Sequence, residues 1–170
     1  MIWLALYIGT IFAANWAIST FGLVPVGFGL LAPAGVYFAG LAFTFRDLTQ
    51  DTLGRRAVIG AVLAGALLSL VFGGALAIAS GIAFLVSELA DFAVYTPLRQ
   101  RRWLLAVGLS NMVGLVVDSA LFLWLAFGSL DFLAGQIVGK TTMTALAVLA
   151  LWGWRAILAR NTHAKLARAS

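Results

Sequence analysis

Six long apolar runs, at residues 2–21, 28–45, 57–72, 75–95, 103–127 and 132–158, fill almost the whole chain. A helix needs about 20 apolar residues, within a range of about 17–25, to cross the hydrocarbon core of a bilayer. In lipid every backbone N–H and C=O must find its partner inside the protein, so continuous runs of this length must be helices. The composition leaves no other solvent for them. Soluble domains are about 25% charged, whereas this chain is 10% charged and 63% hydrophobic, with a mean hydropathy of +1.05. The sequence therefore predicts an all-α polytopic membrane protein. A single six-helix transmembrane domain would occupy residues 1–160, with a basic cytoplasmic tail at 161–170. The first run lacks a basic leader and outlasts a signal-peptide core, so it is expected to be a span. The third run is short, and only Gly73-Gly74 separates it from the fourth. One long helix there would reduce the count to five.

Charge placement favours six. Arg46, Arg55 and Arg56 follow the second run, Arg99, Arg101 and Arg102 follow the fourth, and Arg155, Arg160, Lys165 and Arg168 cluster at the end of the sixth. The alternate connections, at 22–27, 73–74 and 128–131, carry no Lys or Arg. Cytoplasmic loops collect basic residues, so both termini are expected inside, in a bacterial inner membrane. Trp3, Trp16, Trp103, Trp124, Trp152 and Trp154 all fall near run ends, as an interfacial belt requires. The net charge of +5 is explained by topology, and no nucleic-acid partner is expected. With no cysteine and one histidine, His163 in the tail, neither thiol chemistry nor a metal or other cofactor is expected. No Ser/His pair lies in a span, so the chain is not expected to be an enzyme.

Against this background the ionisable residues inside the runs stand out. Each costs at least about 2.5–3.5 kcal/mol at the centre of a membrane helix, and such groups face a bundle interior. They are Glu88, Asp91, Asp118 and Lys140, with Asn15, Asn111 and Gln136 as uncharged company. At about 1.5 Å per residue, Asp118 and Lys140 fall at one depth on neighbouring antiparallel helices, which predicts an ion pair. Asn15 falls near that level. Glu88 and Asn111 make a second layer nearer the basic face. Ser80, Phe84, Ser87, Asp91 and Tyr95 step along one helical stripe, as do Asn111, Gly114 and Asp118, and Gln136, Lys140 and Thr144. One shared polar cavity follows. The plainer readings are that Asp118–Lys140 only locks two helices and that Asp91 is interfacial. Glu88, with no cation of a span near its level, is expected to be protonated, wet or ligand-facing.

The connection after the second run, RDLTQDTLGRR, is dense in charge. Asp47 and Asp51 are one helical turn apart, and Gly54 permits a tight turn. Asp51 near the start of the third helix and arginines near the end of the second would suit the helix dipoles. Asp47, Asp51, Arg55 and Arg56 are candidates for a cytoplasmic gate of breakable ion pairs, beside the plainer reading of ordinary loop charges. The Asp51–Arg56 stretch also fits the D-x-x-G-R-R loop of major facilitator transporters, of which six spans would be half.

Four stretches carry a more specific likeness: LAFTFRDLTQDTLGRRA at 41–57, ASGIAFLVSELADFAVY at 79–95, SNMVGLVVDSALFLWLAF at 110–127 and GQIVGK at 135–140. In order and spacing they resemble the vitamin uptake transporters, also called queuosine precursor transporters. The resemblance implies a six-helix inner-membrane importer of cyano- or aminomethyl-deazaguanine. It carries Asp47, Asp51, Asp91, Asp118, Gln136 and Lys140 over as functional candidates. The chemistry is compatible. A carboxylate accepts the ring N–H and exocyclic amine of a guanine edge together, with Asp118 or Glu88 the leading choice. Lys140, Gln136 or Asn111 could donate to the ring carbonyl, and Phe84, Tyr95 or Phe122 could stack on the base. The partners expected are this purine-like molecule, membrane lipid and, given the small size for alternating access, a second copy of the chain. The alternative is a substrate-binding subunit of an energy-coupling-factor importer, whose coupling module could dock on the small face made by Ala13 and Ala17.

Overall fold

The computed structural model describes residues 1–72, 74–98 and 103–169. Helix α1 (Ile2–Phe21) is followed by a hairpin of β1 (Leu23–Gly27) and β2 (Leu30–Pro33), then α2 (Val36–Leu53) and α3 (Arg55–Ser69). A 3₁₀ turn (Leu70–Phe72) leads to α4 (Gly74–Leu98), α5 (Trp103–Phe127) and α6 (Leu133–Ala169). Arg99, Arg101, Arg102 and Gly73 lie outside the described residues. So do the side chains of Trp103, Trp152, Trp154 and the tail cations. The expected tail at 161–170 continues α6 as far as Ala169.

The hairpin is the main departure from the sequence reading, which put the second helix at 28–45. Gly22, Gly27, Gly29 and also Phe28 take positive φ, which breaks any helix there. Between them Val24 and Val26 favour extended backbone. Leu23 pairs with Pro33, Val24 with Ala32 and Pro25 with Leu31, with an irregularity between Pro25 and Gly27. The helix is displaced to Val36, so Arg46 lies inside α2 rather than after it. At the other doubtful boundary, α3 and α4 are separate helices that pack on each other.

Among the described residues four helices are long and apolar enough to cross a membrane: Ile2–Phe21, Gly74–Tyr95, Leu109–Phe127 and Leu133–Leu151. The two that miss do so for simple reasons. Helix α2 holds Arg46, Asp47 and Asp51 within 18 residues, and α3 has only 15. Trp16 and Trp124, near the ends of α1 and α5, are 40% and 60% exposed, consistent with an interfacial position.

Packing is close where side chains are small. Tyr7, Val58, Ala61 and Val62 form a buried core between α1 and α3. Ala61, Gly65 and Ser69, the small ladder of α3, face α1: Ile11 nests on Gly65, and Ser69 bonds Asn15 at 3.1 Å. Of the two small residues proposed as a docking face, Ala17 is buried in the protein and Ala13 is half-buried. Helix α2 lies between α1 and α6, while α5 rests chiefly on α4 and only slightly on α6. The approach of α2 to α6 depends on Gly40. A Cβ there would lie 2.5 Å from Met143 Cβ and 2.8 Å from the Lys140 carbonyl oxygen, and Thr144 Oγ1 donates to the Gly40 carbonyl at 2.9 Å.

Gly40→Ala should therefore destabilise the purified protein by about 1–3 kcal/mol, the usual cost of overpacking. Gly60→Ala, where a Cβ meets nothing within 4 Å, should leave stability equal or higher. Thermal unfolding in detergent measures both, and equal midpoints for the two variants would contradict the packing described.

Candidate functional site: two tiers of buried polar groups

The interior polar residues assemble in two tiers. In the first, Lys140 of α6 donates from Nζ to Asp118 Oδ2 at 2.7 Å and to Ser119 Oγ at 3.0 Å. Both acceptors come from α5, where adjacent residues reach the same point. Lys140 is 2% exposed. An ammonium so deep needs this partner, because stripping water from an ion costs several kcal/mol. The predicted ion pair is present.

One turn earlier on α6, Gln136 is also 2% exposed, and its Oε1 has no hydrogen-bond partner. Such an orphaned carbonyl costs about 1–3 kcal/mol. Asn15 faces the same space from α1, its Nδ2 bonded to the Ile11 carbonyl and Ser69 Oγ, each at 3.1 Å. Asn15, Gln136, Lys140 and Phe122 surround a cavity of about 40 Å³.

The second tier centres on Arg46. Its guanidinium donates to Glu88 Oε1 of α4, and Nε donates to Asp47 Oδ1 at 2.9 Å. The Phe43 ring lies 5.5 Å beneath it, within cation–π range. Only 9% of the Arg46 side chain is exposed. Glu88 was expected to have no cation at its level. The displacement of α2 supplies one, because Arg46 sits ten residues into the helix rather than in a loop. The end of the apolar run at Phe45 concealed this. The Gly-Phe-Gly turn between valines and leucines was the signal that could have revealed it.

Two adjoining cavities open here, of about 500 and 560 Å³, sharing Arg46, Asp47, Asp91 and Asn111 in their walls. The smaller runs between α5 and α6 toward Thr141 and Thr144, and the larger reaches Gln50, Asp51, Arg55 and Tyr95. Asp91 belongs to both, and its Oδ1 is buried without a partner. Gly114 of α5 permits this, since a Cβ there would sit 3.5 Å from Asp91 Cβ.

Glu88, Asp118 and Lys140 therefore do not share one hollow, as the sequence reading expected. Glu88 belongs to the Arg46 tier and the other two to the Lys140 tier. The predicted levels hold, with Asn15 beside Lys140 and Asn111 beside the Glu88 tier. Phe84, expected to stack on a ligand, packs on Tyr7 with ring centres 6.0 Å apart and lines a separate small cavity with Phe43. Of the four gate candidates, Asp47, Asp51 and Arg55 line the larger cavity, while Arg56 is exposed and absent from its wall. Asp51 closes α2 and the two arginines open α3. That is the reverse of what helix dipoles favour, so these charges are not placed for helix stability.

A helical, apolar chain with buried ion pairs and several helices long enough to cross a bilayer is that of a multi-pass membrane protein. The family is explicit in the sequence. The family model "Putative vitamin uptake transporter" matches residues 69–156, just over half of the chain, and the chain belongs to that family. Three of the four stretches that carried the resemblance fall inside the match, and the stretch at 41–57 lies before it. No curated protein and no solved structure matches the chain.

Breaking a buried pair by removing one partner costs about 3–5 kcal/mol, whereas replacing both partners is often near neutral. Asp118→Asn and Lys140→Met should each lower stability by that order, and the double variant should recover most of the loss. Additive losses, read by thermal or chemical unfolding in detergent, would show that the two residues do not depend on each other.

Proposed function

We propose that this chain imports a planar, guanine-like base of the deazaguanine type across a bacterial inner membrane. All six helices cross, with both termini cytoplasmic. Helix α2 has 18 residues and about 27 Å of length; Arg46 is buried against Glu88, and the exposed Asp47 and Asp51 line the cavity. The tier around Arg46 then lies toward the cytoplasm, on the side of the basic connections. Its two cavities give the interior access from that side. In this reading the Lys140 tier, whose cavity is only about 40 Å³, is the narrow end of the path.

The observation that carries this reading is Asp91. Lys140 holds Asp118 and Arg46 holds Glu88, so the two carboxylates first favoured for the base are taken. Asp91 lines the wall of both large cavities, and its buried Oδ1 has no hydrogen-bond partner. It can accept the ring N–H and exocyclic amine together, a charge-assisted arrangement. Asn111 can donate to the ring carbonyl, and Tyr95 or Phe43 can cover the ring face. Apolar walls with a few convergent polar groups are the usual form of a small-molecule site. Asp47, Asp51 and Arg55 line the way out. The burial of Ala17 favours a stand-alone importer over a subunit that needs a coupling module.

Proteoliposomes containing only this protein should take up labelled cyano-deazaguanine without ATP. Asp91→Asn should weaken binding about 10- to 100-fold, the effect of losing one charge-assisted contact. Binding without uptake would favour the coupling-factor alternative, and neither binding nor uptake would overturn the reading.

A further inference from the structure

The upper tier holds a feature that the site around Asp91 leaves unexplained. Gln136 is buried, its Oε1 has no partner, and the residue lines a space of about 40 Å³ shared with Asn15, Lys140 and Phe122. That is room for about one water, far too little for a heterocycle. Yet the wall has the makings of a ligand site: a carboxamide with a free acceptor, a second amide, an ammonium held by Asp118, and an aromatic face.

The hairpin borders this space at its base. Pro33, at the end of β2, and Val36, at the start of α2, form part of the cavity wall. The hairpin rests mainly on α6, and it does so on two glycines one turn apart. A Cβ at Gly135 would lie 2.0 Å from the Leu31 carbonyl oxygen, and one at Gly139 would lie 3.1 Å from Val26 Cγ1. The hairpin is otherwise lightly held. Tyr37 donates to the Pro25 carbonyl at 2.5 Å and the Ala34 N–H to the Gly22 carbonyl at 2.8 Å. Phe28 at the tip is 94% exposed. A strap seated on bare backbone, anchored at its base and free at its tip, can lift without unfolding a helix.

We propose that Asn15, Gln136 and Lys140 form a second, outer station for the transported base, covered in this state by the β1–β2 hairpin acting as the outer gate. The ligand class is a neutral planar heterocycle whose ring N–H donates to Gln136 Oε1 while its face meets Phe122. This rests on the importer reading and divides its site in two. The base is received at Gln136 when the hairpin lifts and released from Asp91 after it closes.

The chain has no native cysteine, so one introduced thiol reports cleanly. Ala14→Cys places it in the wall of the closed space, next to an unchanged Gln136. In right-side-out vesicles a membrane-impermeant maleimide should label it slowly. Gly135→Ala, which props the hairpin off α6, should raise the rate at least about tenfold. Val26→Asp, which unseats the hairpin without touching α6, should do the same and serves if the first variant does not fold. Cyano-deazaguanine should slow the labelling again, and Gln136→Leu should abolish that protection. Unchanged labelling in both unseated variants, or labelling only from the cytoplasmic side, would overturn the gate. Protection that persists without Gln136 would overturn the station. If the labelling behaves as stated but the unmodified protein transports no base in proteoliposomes, the gated site stands and the importer reading fails.

Discussion

Two cations sit inside an apolar bundle, and the rest of the architecture follows from how each is neutralised. Lys140 is held by Asp118 and Arg46 by Glu88 and Asp47, every bond but that to Asp47 reaching across to another helix. In lipid no solvent can substitute for these partners. The pairs therefore fix which faces of α2, α4, α5 and α6 turn inward. They also determine what remains available. Once Asp118 and Glu88 are engaged, Asp91 is the interior carboxylate of α4 and α5 left with a buried, unpartnered oxygen.

The helices can approach closely because their contact faces are small. Gly40 against α6, Gly65 against α1 and Gly135 beneath the hairpin each leave no room for a Cβ. Van der Waals contact between such faces drives association in membranes, where helices gain little from the hydrophobic effect. The same economy leaves α5 loosely joined to α6, and the cavity beside Thr141 occupies that gap. Close packing on one side of the bundle thus coexists with an opening on the other.

Much of this was legible in the sequence because charge is so rare in it. The extent of the apolar runs located α1, α5 and the starts of α4 and α6 to within a residue. Depth counting at a fixed rise placed Asp118 opposite Lys140 and Asn15 beside them. The failures have one physical origin. Hydropathy does not distinguish an apolar strand from an apolar helix, so the segment at 23–33 was divided between a connection and a span. That error put Arg46 in a loop and left Glu88 without its cation, and it turned two tiers into a single cavity. The small stripe at Ala13 and Ala17 likewise cannot say whether its partner is another chain or the protein's own interior.

The buried charges divide into two paired centres, and Asp91 is the carboxylate proposed to hold the ligand. The most direct measurement is a structure of the protein in lipid nanodiscs, determined with and without cyano-deazaguanine. The account predicts both ion pairs in the free protein and, with the base present, added density within hydrogen-bond distance of Asp91 and Asn111. A free structure in which Asp91 pairs with a cation and the cavity is filled by side chains, or a base bound elsewhere with Asp91 untouched, would contradict it.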